Sequence, residues 1–204
     1  IEPQPLFTIL DRDNWRRGVI FAKLGFYYKQ HLFKLGDTTR VFYDQKENVF
    51  YTTNRIFHDK CLNLLYEIGV TEDTWSVDGH TLIFREKQLQ NIVTTLLKKG
   101  WSVEGEGVQF KKPGNFSFSV NSGIDWFEVE GACEYDGEMV SIPEILDALK
   151  KKKEFIKLSD GSLGLMPSEW LEKYGRIVSM GTTEDESIKF KKSQTLLIDL
   201  LLAD

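Results

Sequence analysis

Apolar residues recur along this chain with two spacings, every second position and every third or fourth, and the spacing changes from segment to segment. Pro5 to Asp13 starts apolar and ends charged, which predicts a short strand. Gly18 to Tyr28 (GVIFAKLGFYY) is β-prone and nearly all apolar, the pattern of a strand buried on both faces. Polar Lys34 to Thr39, with Gly36-Asp37, predicts a turn. Arg40 to Tyr43 and Asn48 to Thr52 then predict a hairpin around Asp44 to Glu47. From there the period lengthens. Phe57, Cys61, Leu64, Leu65 and Ile68 make one helical stripe over Arg55 to Ile68, capped by Thr53 or Asn54 and closed by Gly69. Thr71 to His80 reads as polar and turn-like around Asp78-Gly79, and Thr81 to Phe84 as a short strand. Leu89, Ile92, Val93, Leu96 and Leu97 predict a helix over Glu86 to Lys99, stopped by Gly100. Short strands at Trp101 to Glu104 and Gly107 to Lys111 lead to the clean alternation of Phe116 to Val120.

The densest local signals lie between Gly123 and Tyr174. Phe127, Val129, Cys133 and Tyr135 share one strand face and Glu128, Glu130 and Glu134 the other, with Gly131 marking a bulge or a close helix contact. Asp136-Gly137 fits a type I′ hairpin turn. Ser141-Ile-Pro143-Glu144 is a capping box with proline in the first helical turn. Ile142, Ile145, Leu146 and Leu149 form the buried stripe of that helix, and Lys150, Lys151, Lys152 and Lys153 crowd its C-terminus, where the helix dipole favours cations. Phe155 to Leu158 and Ser162 to Leu165 make a second hairpin around Ser159-Asp160-Gly161. Pro167-Ser168 opens a helix with Trp170, Leu171 and Tyr174 inward, closing at Gly175. Thr182 to Ser187 is expected to be an acidic, mobile loop, and Lys189 to Ala203 a final leucine-rich helix. The sum is an α+β fold, antiparallel sheets with amphipathic helices packed on them. Two closely packed subdomains are expected, 1–120 and 121–204, divided where the composition shifts near Asn121.

Composition narrows the class without naming a function. At 204 residues, 41% hydrophobic and 28% charged, the chain has the make-up of an ordinary soluble domain pair. No apolar run approaches a membrane span of ~18 residues. The net charge of −5 argues against wholesale electrostatic binding of nucleic acid. It is uneven: residues 1–120 hold 16 Lys/Arg against 14 Asp/Glu, or +2, and residues 121–204 hold 10 against 17, or −7. Cys61 and Cys133 lie far apart on apolar faces, as expected of buried reduced thiols in a cytoplasmic protein. A start at Ile1 and an apolar run stopping at Asp204 lead us to expect a longer parent.

Chemistry-bearing motifs are scarce. A phosphate-gripping P-loop needs Gly-Lys before Ser or Thr, and the chain contains no Gly-Lys dipeptide. His31, His58 and His80 are scattered and pair with no cysteine at ligand spacing, so no metal is expected. Asp160-Gly-Ser162-Leu-Gly164 misses the nucleophile elbow by one residue and fits a hairpin turn better. Glu128, Glu130 and Glu134 read as a solvated strand face, or as an acidic surface for a basic partner. No catalytic or cofactor-binding residue is expected. Lys150 to Lys153 and Lys189, Lys191 and Lys192 are candidate nucleic-acid contacts; each run reads first as a solvated helix end, since no stacking aromatics interleave them.

One pattern goes further. Asp125-Trp126-Phe127, the Ser141-Ile-Pro143-Glu144-Ile-Leu146 helix start, Phe155-Ile-Lys-Leu-Ser-Asp160-Gly161-Ser-Leu-Gly-Leu-Met-Pro167 and Trp170-Leu171 follow in that order. Together they resemble the accessory region that precedes the motor in bacterial SNF2-family (SWI2/SNF2-type) helicases, with its D-W-F, D-G turn, P-x-L-L helix, Φ-V-x-L-x-D-G-S hairpin and L-P-x-E-W-L. The resemblance covers residues 123–175. It implies a non-catalytic module of a DNA-dependent ATPase in the bacterial cytoplasm, partnered in cis by a C-terminal motor that holds ATP and Mg, with double-stranded DNA as a further partner. It transfers no catalytic residue. Asp125, Trp126, Phe127, Pro143, Asp160, Gly161, Pro167 and Trp170 match the pattern, and burial accounts for both tryptophans without a functional role. The alternative is a protein-interaction module that uses the acidic strand face or the C-terminal leucines.

Overall fold

Each half of the chain is built on a ten-residue strand that carries three partners. The computed structural model describes residues 2–10, 18–38, 40–76, 80–184 and 187–202. It divides into two units, Ile1–Phe110 and Lys111–Asp204. The architecture is α+β, with five α-helices among the described residues and mostly antiparallel strand pairs, β1 with β8 being parallel.

In the first unit β1 (Gln4–Ile9), β2 (Val19–Tyr28), β3 (His31–Lys34) and the separate hairpin β4 (Val41–Asp44) and β5 (Val49–Thr52) precede α1 (Arg55–Glu67). After them come β6 (Thr71–Glu72), β7 (Leu82–Arg85), a 3-10 turn (Glu86–Gln88), α2 (Leu89–Lys98), β8 (Ser102–Gly105) and β9 (Val108–Lys111). β2 pairs antiparallel with β1 along one edge; along the other, Val19 to Ala22 take β7 and Gly25 to Tyr28 take β3. β8 lies parallel on the far side of β1. As expected, Asn54 caps α1 by accepting from the Phe57 N–H, and Gly69 beyond it takes φ +92°. α1 docks on β2 through His58, stacked face to face on Phe26 at 3.7 Å.

Several expectations change here. His31–Lys34 is a strand that the apolar count missed, and the polar stretch after Val70 contains β6. The helix foreseen from Glu86 opens as a 3-10 turn, at whose start the Gln88 side chain takes the Arg85 N–H. The charged end of the first strand, from Asp11, and the Asp78-Gly79 turn lie outside the described residues.

The second unit runs β10 (Phe116–Ser122), β11 (Trp126–Tyr135), β12 (Glu138–Ser141), α3 (Ile142–Lys150) and the hairpin β13 (Phe155–Lys157) and β14 (Leu163–Leu165). It continues with α4 (Ser168–Val178), β15 (Thr182–Glu184), β16 (Ser187–Lys191), a 3-10 turn (Lys192–Gln194) and α5 (Thr195–Leu202). Its sheet order is β10-β11-β16-β15, with β12 also on β11. One face carries Val129, Ile188 and Phe190 against Ile142 and Leu146 of α3, Tyr174 and Val178 of α4, and Ile198 of α5. The opposite face is polar and open, the arrangement that alternation in an antiparallel sheet produces. The unit boundary falls earlier than the composition shift at Asn121, because β10 is laddered to β11 over its whole length.

The capping box of α3 forms as expected, Ser141 and Glu144 exchanging side-chain and backbone bonds. Asp136 and Gly137 both take positive φ, 53° and 88°, as a type I′ turn requires. Gly131 marks a close approach and no bulge: the β10 to β11 register is unbroken, and a Cβ there would sit 2.5 Å from the Ile142 side chain. Leu149 is 43% exposed and leaves the buried stripe; Ala148 takes its place, facing the Ile156 and Leu158 side of the hairpin. Gly175 does not end α4, which continues to Val178 because Val178 extends the buried stripe. Thr182 to Glu184 is a strand where a mobile loop was expected, with residues 185–186 of that segment undescribed. The final helix starts at Thr195, since Ile188 and Phe190 alternate inward as strand residues before it.

Candidate nucleic-acid interface

At the end of α3 the chain closes in a Schellman turn: the Lys152 N–H reaches the Leu149 carbonyl and the Lys153 N–H that of Ala148. Lys152 holds the left-handed position at φ 53°, usually given to glycine. This turn fans the side chains of Lys150, Lys151, Lys152 and Lys153 into solvent, all four exposed. Lys151 is bonded to Asp147 one turn back at 2.6 Å, and this hydrogen bond holds the Asp147 carboxyl below its usual range. Exposed Lys157 and buried Ile156 edge a shallow depression beside the helix, which Asp147, Lys153 and Thr183 also line. The backbone N–H groups of the turn are already spent, so an anion here would meet ammonium groups alone.

The second basic run is not on a helix. Lys189 is a strand residue on the open sheet face, opposite Glu128 in β11. It is bonded to Glu184 of β15 and lies over the Trp126 ring at 5.1 Å from the centroid. Its charge is therefore already engaged. Lys191 and Lys192 are exposed at the end of β16, where the Lys192 N–H donates to the Asp125 carbonyl. α3 packs on the inner face and Lys189 and Lys191 alternate to the outer one, so the two runs do not form one site.

The residues that match the helicase-accessory pattern hold backbone positions. Phe127 packs against the inner core, and Pro143 is buried in the first turn of α3. Asp160 accepts from Lys111 at 2.8 Å and from the Ser162 N–H and hydroxyl; the Lys111 bond first, then those from Ser162, push its carboxyl down to about 2. Gly161 takes φ +87° beside it, and buried Pro167 precedes α4. Trp170 stacks on Phe116 at 4.4 Å and 7°. Trp126 corrects the expectation of burial: it is 37% exposed on the open face, its ring laid over Gly123. Glu130 and Glu134 are solvated as expected, and Glu128 accepts from the Ser187 hydroxyl at 2.7 Å.

Two features escaped the pattern reading. The hydroxyl of fully buried Tyr28 accepts from the Asn54 N–H at 2.6 Å and lies 2.9 Å from His58 Nε2. The outer face of the β4–β5 hairpin exposes Val41, Tyr43 and Phe50, the last at 71%. Only the fold shows which face of that hairpin stays uncovered. Cys61 and Cys133 are free and buried, and burial first of all pushes both thiols up to about 11. No cluster of metal-binding side chains occurs among the described residues, and none of their helices is long and apolar enough to cross a membrane. Comparison with protein-family models, with curated proteins and with solved structures finds no match.

Proposed function

We propose that this chain is a non-catalytic accessory module of a bacterial, cytoplasmic SNF2-family DNA-dependent ATPase. It packs beside or regulates a motor that supplies the ATP and Mg site, and it touches duplex DNA through the end of α3. The observation that carries the DNA contact is the fan of four exposed lysines, of which Lys151 is tied to Asp147. Charge of this kind meets phosphates without reading sequence. The ordered series from Asp125-Trp126-Phe127 to Trp170-Leu171, all in the second unit, supports the family reading. Buried, unreactive thiols suit a reducing compartment.

Fluorescence anisotropy with a labelled duplex tests this. Binding is expected to weaken steeply with salt. The triple variant Lys150→Gln, Lys152→Gln, Lys153→Gln should lower the slope of log K against log salt by roughly 2 to 3, since each lost phosphate contact contributes about 0.9. Unchanged affinity and slope in the variant would rule this surface out. Absence of binding at every salt concentration would favour a protein-interaction module, for which the exposed Tyr43 and Phe50 face is the supporting observation.

A further inference from the structure

The two units repeat one topology. The order β1-β2-β7-β6 with β3 on β2 is matched by β10-β11-β16-β15 with β12 on β11. Registers agree as well: Val19 opposite Arg85 corresponds to Trp126 opposite Lys191, and Tyr28 opposite His31 to Tyr135 opposite Glu138. Tyr28 and Tyr135 are both fully buried, and each hydroxyl bonds backbone shortly ahead of a helix, Asn54 before α1 and Leu165, beyond the inserted α3, before α4. Gln88 takes the Arg85 N–H at 2.9 Å and Gln194 the Lys191 N–H at 2.8 Å. The Glu86 N–H reaches the Gly18 carbonyl at 2.9 Å and the Lys192 N–H the Asp125 carbonyl at 3.1 Å. Ile92 and Ile198 are buried at matching points of α2 and α5.

Besides α3, which has no counterpart in the first unit, the two sheets differ at one edge. In the first unit α2 leads directly into β8, which lies parallel on β1. In the second, β10 is the terminal strand of its sheet. The Leu10 N–H donates to the Phe21 carbonyl, so by alternation Leu10, Thr8 and Leu6 bond to β2 while Phe7 and Ile9 turn toward β8. The Glu134 N–H donates to the Asn115 carbonyl, so Ser117 and Ser119 bond to β11 while Phe116, Phe118 and Val120 turn their backbone groups to the free edge. That edge carries none of the usual guards. The strand Phe-Ser-Phe-Ser-Val-Asn-Ser has no charge, no proline and an unbroken register.

We infer that the free edge of β10 is a strand-docking site, taken by an extended segment joined to the end of α5 as β8 is joined to α2. The segment runs parallel to β10, and its apolar and polar residues alternate as in Trp101-Ser-Val-Glu-Gly105. The site is independent of any role in DNA binding.

The test is amide exchange, followed by NMR, in the chain and in the chain extended past Asp204 by a copy of residues 99–111. In the unextended chain the Phe116, Phe118 and Val120 amides should exchange rapidly; in the extended chain they should slow at least tenfold, with Ser117 and Ser119 little changed. Val120→Pro removes a donor from the outer edge alone, and should abolish the gained protection at Phe116 and Phe118. The inference is overturned if the three amides are already slow, if they stay fast in the extended chain, or if a folded Val120→Pro variant keeps the protection. If Val120→Pro does not fold, the extended chain alone decides. A dimer of the unextended chain in sedimentation, with these amides protected, would assign the edge to a second copy and overturn the inference too.

Discussion

Lys152 ends α3 at φ 53°, where a side chain with a Cβ is disfavoured by roughly 1 kcal/mol relative to glycine. Lys152→Gly should therefore raise stability by about 0.5–1 kcal/mol, although it removes a charge from a helix end that favours cations. Urea unfolding measures this; a loss of stability would mean that the lysine stem packs usefully there. At this scale the sequence was highly legible. Caps and turn residues act through their own backbone, so the α1 cap to within Thr53 or Asn54, Ser141 with Glu144, and Asp136-Gly137 could be placed without knowing the fold. Trp126 could not, because it lies on the open sheet face beneath Lys189, which comes from a strand far along the chain.

Among elements, two glycines that look alike in sequence act oppositely. Gly131 faces Ile142 and Phe118, where a Cβ would approach to 2.5 and 2.8 Å. Gly175 lies inside α4, and the nearest atom to a Cβ there is on Leu171 at 3.7 Å, an ordinary contact. Gly131→Val should cost about 1–3 kcal/mol through overpacking. Gly175→Ala should stabilise by roughly 0.5–1 kcal/mol through helix propensity. Thermal denaturation of the pair is decisive: equal effects would refute the packing argument. The α3 stripe shows the same limit. Leu149 lies at the correct helical angle for burial, yet it stays 43% exposed, and Ala148 is buried because the β13–β14 hairpin lies over that side.

For the whole molecule, His58 links the strand core of the first unit to solution pH. Burial holds its pKa below the ordinary histidine value, against the smaller opposing pull of Asp59. A neutral ring lets Nε2 accept from the Tyr28 hydroxyl, whose oxygen already takes the Asn54 N–H. With the folded pKa below the unfolded one, the unfolded chain binds more protons. The stability contributed is complete above about pH 6.5 and is lost as pH falls through that value toward the folded pKa. Stability by urea unfolding should therefore drop between pH 7.5 and 5.5, and His58→Gln should flatten the drop. A variant as pH-sensitive as the parent would sink this account. The carboxyls of Asp44, Glu47 and Asp160 are held low by Lys29 and Lys111, so their contributions are lost only below about pH 4.5, outside that window.

By itself the sequence determined the α+β class, the places of most strands and helices, their caps and turns, and the absence of a Gly-Lys P-loop dipeptide. These depend on short-range periodicity and backbone chemistry, which neighbouring residues settle among themselves. Tertiary structure decided which basic residues are accessible, separating the lysine fan at α3 from Lys189, which cross-strand partners neutralise. It also decided the boundary between units, since β10 joins the strand after it by a full ladder. The repeat of one topology in both units was invisible in the sequence. Burial and hydrogen-bond geometry preserve it through Tyr28 and Tyr135, or Gln88 and Gln194, while most other positions differ. The unguarded edge of β10 follows from that comparison alone, because a strand's own residues do not say which of its edges is paired.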